Sequence, residues 1–389
     1  MSRMNKINRK FIVLIAIAIL LKIALFLYVA CSARQGIFAP DSKEYLGSGI
    51  ILVTEGKFAT ENAKGIYTYQ FYRTPGYPLF LGILRVFLGM PLIGIVFVQM
   101  ALTVIAAVFT YKAALLIDEE IAPLSLLIVL LDPPSTVFSM MLLTEALFLF
   151  LTSLFMYLFL SFIKKKRIGS LVLSALVISL AVYVRPIVYF MPVAMAIFLA
   201  FAFMRKSPKK AFVNALVFAV IIYGLIAPWH MRNIKRFNTN RFCSINNATI
   251  SEEWGTGLYK SYKRNKDPIS QGLPPVAYYC NVTARCLFSL FTRPANFKYF
   301  DNRVITVAGK VFSYPWIIFW MSGLLVGLSK MKGNTNLYFL AFMILYFTST
   351  TVFATMWGSG PRFRVPMVPF IAILSAYGWH KLTRRSCKC

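Results

Sequence analysis

Apolar positions along this chain come in unbroken runs rather than in alternation. The first extends from Phe11 to Ala30, and others fall near 91–117, 121–138, 141–163, 168–184, 187–204, 211–228, 309–329, 335–353 and 365–381. A run of about 20 apolar residues is long enough to cross a bilayer as a helix. Backbone groups in lipid must be satisfied within each segment, so continuous runs predict helices and not barrel strands. The pattern therefore predicts an all-α, polytopic membrane protein of about ten transmembrane helices.

Two polar intervals interrupt it. Residues 31–90 form a first extracytoplasmic loop with juxtamembrane helices, in which PDSKEYLGSGIILV reads as a short amphipathic helix. Pro75 to Gly89 reads as a short apolar helix that Arg85 interrupts, marginal for crossing and read as interfacial or partly inserted. Residues 229–308 form a long extracytoplasmic loop suited to selecting a substrate. The remainder reads as one integral-membrane domain spanning 1–389.

Composition and charge agree. Hydrophobic residues make up 58% of the chain, more than a soluble core can use. The net charge of +29 comes from 42 basic against 13 acidic residues. The clusters KKKR (164–167), RKSPKK (205–210), KMK (330–332) and the tail HKLTRRSCKC separate apolar runs, as orientation signals do, and no basic stripe forms a nucleic-acid domain. With residues 75–89 not crossing, all four clusters and the basic N-terminus share one side. Both termini are then cytoplasmic, in a bacterial inner membrane, and the first run is an uncleaved span, being longer than the about 7–15 residues of a signal h-region. Six cysteines show no zinc spacing. A disulfide among Cys243, Cys280 and Cys286 stays open, as does lipidation of Cys387 and Cys389.

On this topology the unusual polar residues gather on the extracytoplasmic face. Asp41 precedes Glu44 by three residues, which suits a helix N-cap as well as chemistry. Asp132 precedes two prolines and reads as a helix boundary. Glu145 opens a span, where it favours the helix dipole or serves a site. Arg185 sits at a helical hairpin tip, Arg232 in PWHMRN at the start of the long loop, and Arg362 and Arg364 before the last span. These arginines either meet carbonyls and headgroups or bind a ligand.

The stretches PDSKEY, YRTPGYPLFL, LLTEALF, VYVRP, APWHMRN and RFRVPMVPF occur in this order between residues 40 and 370. In that order they resemble the GT-C glycosyltransferases that use polyprenyl-phosphate sugars, the family of protein mannosyltransferases and the lipid A aminoarabinose transferase. The resemblance implies transfer of a sugar from a polyprenyl-phosphate donor to a lipid, glycan or protein acceptor on the extracytoplasmic face. It gives Asp41 the place of the catalytic base in an inverting displacement. Arg73, Arg185, Arg232, Arg362 and Arg364 become candidates for the donor phosphate, for which a guanidinium fork is suited. Glu145 joins the substrate site, and Tyr45 either orients the donor or anchors its helix at the interface. Many relatives carry two adjacent acids where this chain has Asp41 and Ser42. Glu44 or Glu145 is then the candidate second carboxylate, and a divalent metal is left open. Two other functions stay in view: a flippase or transporter of lipid-linked sugars, and a polymerase or ligase using diphosphate-linked oligosaccharides. The sequence has no apparent inverted repeat, and Lys22 is the main isolated charge within a span, which weighs against the transporter.

Overall fold

A computed structural model describes residues 9–62, 64–203, 207–243, 272–295, 300, 302–355 and 360–386. Helix α1 (Arg9–Ser32) leads into the segment at 31–90, which holds α2 (Ser42–Glu55), a hairpin of β1 (Ala59–Glu61) and β2 (Tyr67–Tyr69), and α3 (Gly76–Gly82). The strands pair antiparallel with Thr60 opposite Thr68. The sequence pattern gave no sign of this hairpin, because three residues per strand carry no readable alternation. Then follow α4 (Leu92–Leu115), α5 (Ala122–Leu130), α6 (Pro133–Ser139), α7 (Glu145–Lys165), α8 (Ile168–Val184), α9 (Met191–Phe203) and α10 (Pro208–Phe237). The last four helices are α11 (Pro275–Thr292), α12 (Arg303–Lys330), α13 (Thr335–Thr355) and α14 (Val368–Ser386).

Seven helices among the described residues are long and apolar enough to cross a membrane, or eight if Glu119–Leu130 and Pro133–Ser139, bent by 50°, are one broken span. The count of about ten is not reached on these grounds. Helix α8 has 17 residues, and the 19 residues of α14 include Lys381, Arg384 and Arg385. The break between α5 and α6 falls at Asp132, whose carboxylate accepts from the Ser135 backbone N–H at 2.9 Å and caps α6 ahead of its two prolines. Asp132 is thus the helix boundary that its sequence context suggests. Lys22, although inside α1, is buried and donates to Thr136 Oγ1 at 2.6 Å. That bond docks α1 on α6 and gives the isolated charge a structural role.

Two boundaries differ from the sequence reading. PWHMRN does not open a loop: α10 continues through Pro228 to Phe237 and ends at Asn238 in the left-handed conformation. The last apolar run begins as a 3₁₀ turn, Pro361–Met367, before α14. Of the loop read at 229–308, residues 244–271, 296–299 and 301 lie outside the described residues, and so do Cys387 and Cys389. Its described part holds α11, which buries Tyr278, Val282, Cys286 and Leu290 at four-residue spacing and exposes Val276 and Phe288. Such a helix is amphipathic. Cys243 and Cys286 are buried and Cys280 is exposed.

The core is aromatic. Phe155 and Phe159 of α7, Phe198 of α9, Phe218 of α10 and Phe339 of α13 interlock, with Phe159 and Phe339 stacked at 4.6 Å. Elsewhere backbones meet directly. A Cβ on Gly378 of α14 would lie 1.9 Å from the Gly323 carbonyl oxygen of α12, so only glycine allows that approach.

Candidate active site

The site begins at Asp41, the residue before α2. Its backbone is already helical and its side chain makes no capping bond. The capping-box expectation therefore fails, and the carboxylate is used elsewhere. Oδ1 accepts from Arg73 Nη2 at 2.8 Å and Oδ2 from Arg362 Nη1 at 3.2 Å. Burial pushes the Asp41 pKa up, but the two guanidinium charges outweigh it and hold the carboxyl below its ordinary range. Ser42 is fully buried. Its hydroxyl accepts the Ala39 N–H at 2.8 Å and donates to Leu142 O at 2.9 Å, fastening α2 to the turn before α7. The second carboxylate of this helix is Glu44, which accepts from Gln70 Nε2 at 2.9 Å and Arg73 Nε at 3.3 Å.

Arg73 is placed by the residues after it. Thr74 Oγ1 donates to Val184 O at 3.3 Å, and a Cβ on Gly76 would lie 2.7 Å from the Tyr183 carbonyl carbon and oxygen. The loop therefore rests its backbone on the end of α8, where no side chain fits. This brings YRTPG against VYVRP, two stretches separated by about 100 residues in sequence. Arg73 also donates to Tyr45 Oη at 3.2 Å, and its guanidinium lies 5.1 Å from the Tyr45 ring and 5.0 Å from the Tyr72 ring.

Arg185 ends α8 in extended conformation, between the rings of Phe148 and Phe363, and donates to Glu145 Oε1 at 3.2 Å. Glu145 is the first residue of α7, its side chain only 1% exposed. Arg362 completes the cluster: its Nε donates to Glu145 Oε1 while its Nη1 reaches Asp41. Burial opposes the Arg362 charge, but Glu145 and Asp41 outweigh it and push its pKa up. The result is three carboxylates (Asp41, Glu44, Glu145) against three guanidinium groups (Arg73, Arg185, Arg362), formally neutral. The exposed part of the cluster is Glu44 at 31%, Asp41 at 27% and Arg362 at 26%, with Arg73 and Arg185 at 15% and 13%.

The sequence reading passed over the residues that hold this arrangement. Gln99, in the middle of α4, is fully buried; its Nε2 donates to Ser139 O at 3.2 Å and Met141 O at 2.6 Å, and its Oε1 accepts from Tyr77 Oη at 2.6 Å. It pins the irregular turn from which Glu145 emerges. An amide inside an apolar run was the available signal.

Two candidate arginines lie elsewhere. Arg364 is buried, and its guanidinium donates to the carbonyls of Leu290, Phe291 and Arg293. It caps the end of α11. Arg232 donates to the carbonyls of Gln70 and Phe58 and to Asn233 Oδ1, away from the carboxylates. Among the described residues no group of three His, Cys, Asp or Glu is placed to hold a metal ion. Asp41 and Glu145 are instead joined through Arg362, a cation where a metal would need an open coordination position. The residues as arranged do not fit a divalent ion.

Residues 73–231 match the family model of dolichyl-phosphate-mannose-protein mannosyltransferases. No curated protein matches the chain. Among solved structures, an Archaeoglobus fulgidus oligosaccharyltransferase tethered with an acceptor peptide is 14% identical with a TM-score of 0.61, over 97% of this chain and 50% of that one. ArnT from Cupriavidus metallidurans in the apo state is 13% identical with a TM-score of 0.58, over 97% of this chain and 60% of that one. The oligosaccharyltransferase AglB from Archaeoglobus fulgidus, in complex with an inhibitory peptide and a dolichol-phosphate, is 14% identical with a TM-score of 0.56, over 97% and 51%. The chain thus spans between half and three-fifths of the length of these structures. Over nearly its whole length the chain has the fold of these structures, and its residues 73–231 match the dolichyl-phosphate-mannose-protein mannosyltransferase model.

Proposed function

We propose that the protein transfers a sugar from a polyprenyl-phosphate donor to an acceptor hydroxyl or similar group, on the extracytoplasmic face, by inverting displacement with Asp41 as base. The observation that carries this reading is a partly exposed carboxylate, Asp41, held between two guanidinium groups, Arg73 and Arg362, beside a buried acid, Glu145. Of the two partly exposed acids only Asp41 bridges two of the arginines, Arg73 and Arg362, whereas Glu44 meets Arg73 alone; this supports Asp41 as base and leaves buried Glu145 to position Arg185 and Arg362.

The reaction follows from the groups present. The acceptor oxygen attacks the anomeric carbon while Asp41 takes the acceptor proton. The bond from that carbon to the phosphate oxygen breaks on the opposite face, and the phosphate leaves with the electron pair. Its growing charge is met by Arg73, Arg185 and Arg362, already charged and fixed by carboxylates and rings, so little reorganisation is needed. The prenyl chain lies among the apolar spans. The dolichol-phosphate in the AglB structure supports a lipid monophosphate as the donor carrier.

Native mass spectrometry of the purified protein with polyprenyl monophosphate tests the reading, using wild type and Arg185→Ala. The lipid bound by wild type and lost in the variant is the expected result. Retention only of a diphosphate-linked oligosaccharide would overturn it in favour of a polymerase or ligase.

A further inference from the structure

A second group of cations stands apart from the carboxylate cluster and just beyond most of the family match. Arg232, Lys235 and Arg236 occupy one face of the last turns of α10 and, with Pro228 and Met231, line an open pocket of about 730 Å³. Basic residues at a helix C-terminus answer the dipole, and long side chains reach for headgroups without forming a site. Three observations go beyond that account.

The first is rigidity. Arg232 Nη1 donates to Gln70 O and Asn233 Oδ1, both at 2.9 Å, and Nη2 donates to Phe58 O at 3.4 Å. Its guanidinium lies 4.5 Å from the Trp229 ring and 5.0 Å from the Phe237 ring, while that of Arg236 sits 3.6 Å over Tyr69. Side chains that only snorkel are not held this way. The second is charge. Among the described residues none of the three cations forms an ion pair, whereas every arginine of the active cluster has a carboxylate. Arg232 spends its bonds on neutral oxygens and keeps two of its five N–H donors for another acceptor. The third is connection. Gln70, whose carbonyl accepts from Arg232, donates through its side chain to Glu44, which accepts from Arg73, which donates to Asp41. A ligand on Arg232 is therefore four contacts from the catalytic carboxylate.

We infer that this pocket binds the phosphate of an anionic lipid headgroup, as a second anion site distinct from the one at Arg73, Arg185 and Arg362. Its being second rests on the donor reading above; its binding chemistry does not. Guanidinium and ammonium groups supply the charge and the donors, and Pro228 and Met231 supply an apolar wall for the glycerol or sugar portion.

The test uses the full chain in neutral detergent, with short-chain phosphatidylglycerol and inorganic phosphate as separate probes. Binding is read by native mass spectrometry and by the thermal midpoint. Lys235→Gln with Arg236→Gln is the primary variant because neither residue hydrogen-bonds the first outer loop, Arg236 only stacking on Tyr69; Arg232→Lys, which keeps the charge but not the fork, is the second. Phosphatidylglycerol should bind the wild type and weaken about tenfold or more in the double variant, with polyprenyl monophosphate retained. Protection by inorganic phosphate as well would assign the site to the phosphate itself; protection by the lipid alone would assign it to the whole headgroup. Equal phosphatidylglycerol binding by wild type and both variants overturns the inference. Arg185→Ala separates the two sites: it should lose polyprenyl monophosphate and keep phosphatidylglycerol, so failure of the donor reading leaves this result standing.

Discussion

Replacing Asp41 with Asn removes a charge and a proton acceptor while nearly preserving shape. In the resting protein, the carboxylate holds Arg73 at 2.8 Å and Arg362 at 3.2 Å. Both bonds are partly exposed, with side-chain exposures of 15% to 27%, so each contributes about 1 kcal/mol rather than the about 1.5–3 kcal/mol of a buried charge-assisted bond. Arg73 keeps Glu44 and Arg362 keeps Glu145. The variant should therefore fold, with a loss of about 2 kcal/mol at most. Donor binding should hold or strengthen, because the cluster changes from neutral to a net positive charge and two arginines lose a competitor for the phosphate. Turnover should fall about 10²- to 10⁴-fold, the range for losing a general base. The assay pairs single-turnover transfer from a labelled polyprenyl-phosphate sugar with donor binding by native mass spectrometry. Turnover within a few-fold of wild type would refute Asp41 as base. Parallel loss of binding and turnover would refute the separation of base from phosphate site.

The depressed Asp41 pKa sets a sign for pH. The base is ionised above its folded pKa, so the acid limb of kcat/KM should lie below the ordinary carboxylate range, and Arg73→Gln should move it upward. The same group contributes stability above its unfolded pKa, which is lost as pH falls through the lower folded value. Gly76→Val should push the YRTPG loop off the Tyr183 backbone, costing about 1–3 kcal/mol and lowering turnover through displacement of Arg73; unchanged kinetics would remove the loop from the site's support. Gly378→Leu should lower the thermal midpoint by separating α12 and α14 while leaving turnover per folded molecule intact, since it touches neither carboxylates nor arginines of the cluster. Arg364→Met should likewise cost stability, by stripping three carbonyls at the end of α11, with donor binding kept; loss of donor binding at unchanged stability would restore Arg364 to the phosphate site.

A carboxylate-arginine cluster at a membrane protein's polar edge is expensive to assemble, because each ion must leave water before it finds its partner. Apolar residues of like size would fill the space between α2, α7 and the 361–367 turn at lower cost. That the chain keeps six ions there, wedged by Phe148, Tyr72 and Phe363, is the strongest structural argument for chemistry at this place.

Much was legible in the sequence itself. Long apolar runs imply membrane helices because lipid offers no hydrogen bonds to a bare backbone, and that requirement is local to each segment. The amphipathic helix at Ser42–Glu55, the short apolar helix after Pro75 and the helix boundary at Asp132 are local too, and all three are present. Proximity is not local. Five arginines looked equivalent on the chain, yet Arg73, Arg185 and Arg362 share carboxylates while Arg364, two residues from Arg362, caps α11 and Arg232 lines another pocket. Likewise Asp41 had the spacing of a helix cap, and only the approach of Arg73 and Arg362, residues about 30 and 320 positions away, draws its carboxylate from the backbone. Hydropathy fixes which segments enter the membrane because burial is a property of each segment; which ions meet depends on how packed helices orient their ends, and that is decided by the tertiary structure alone.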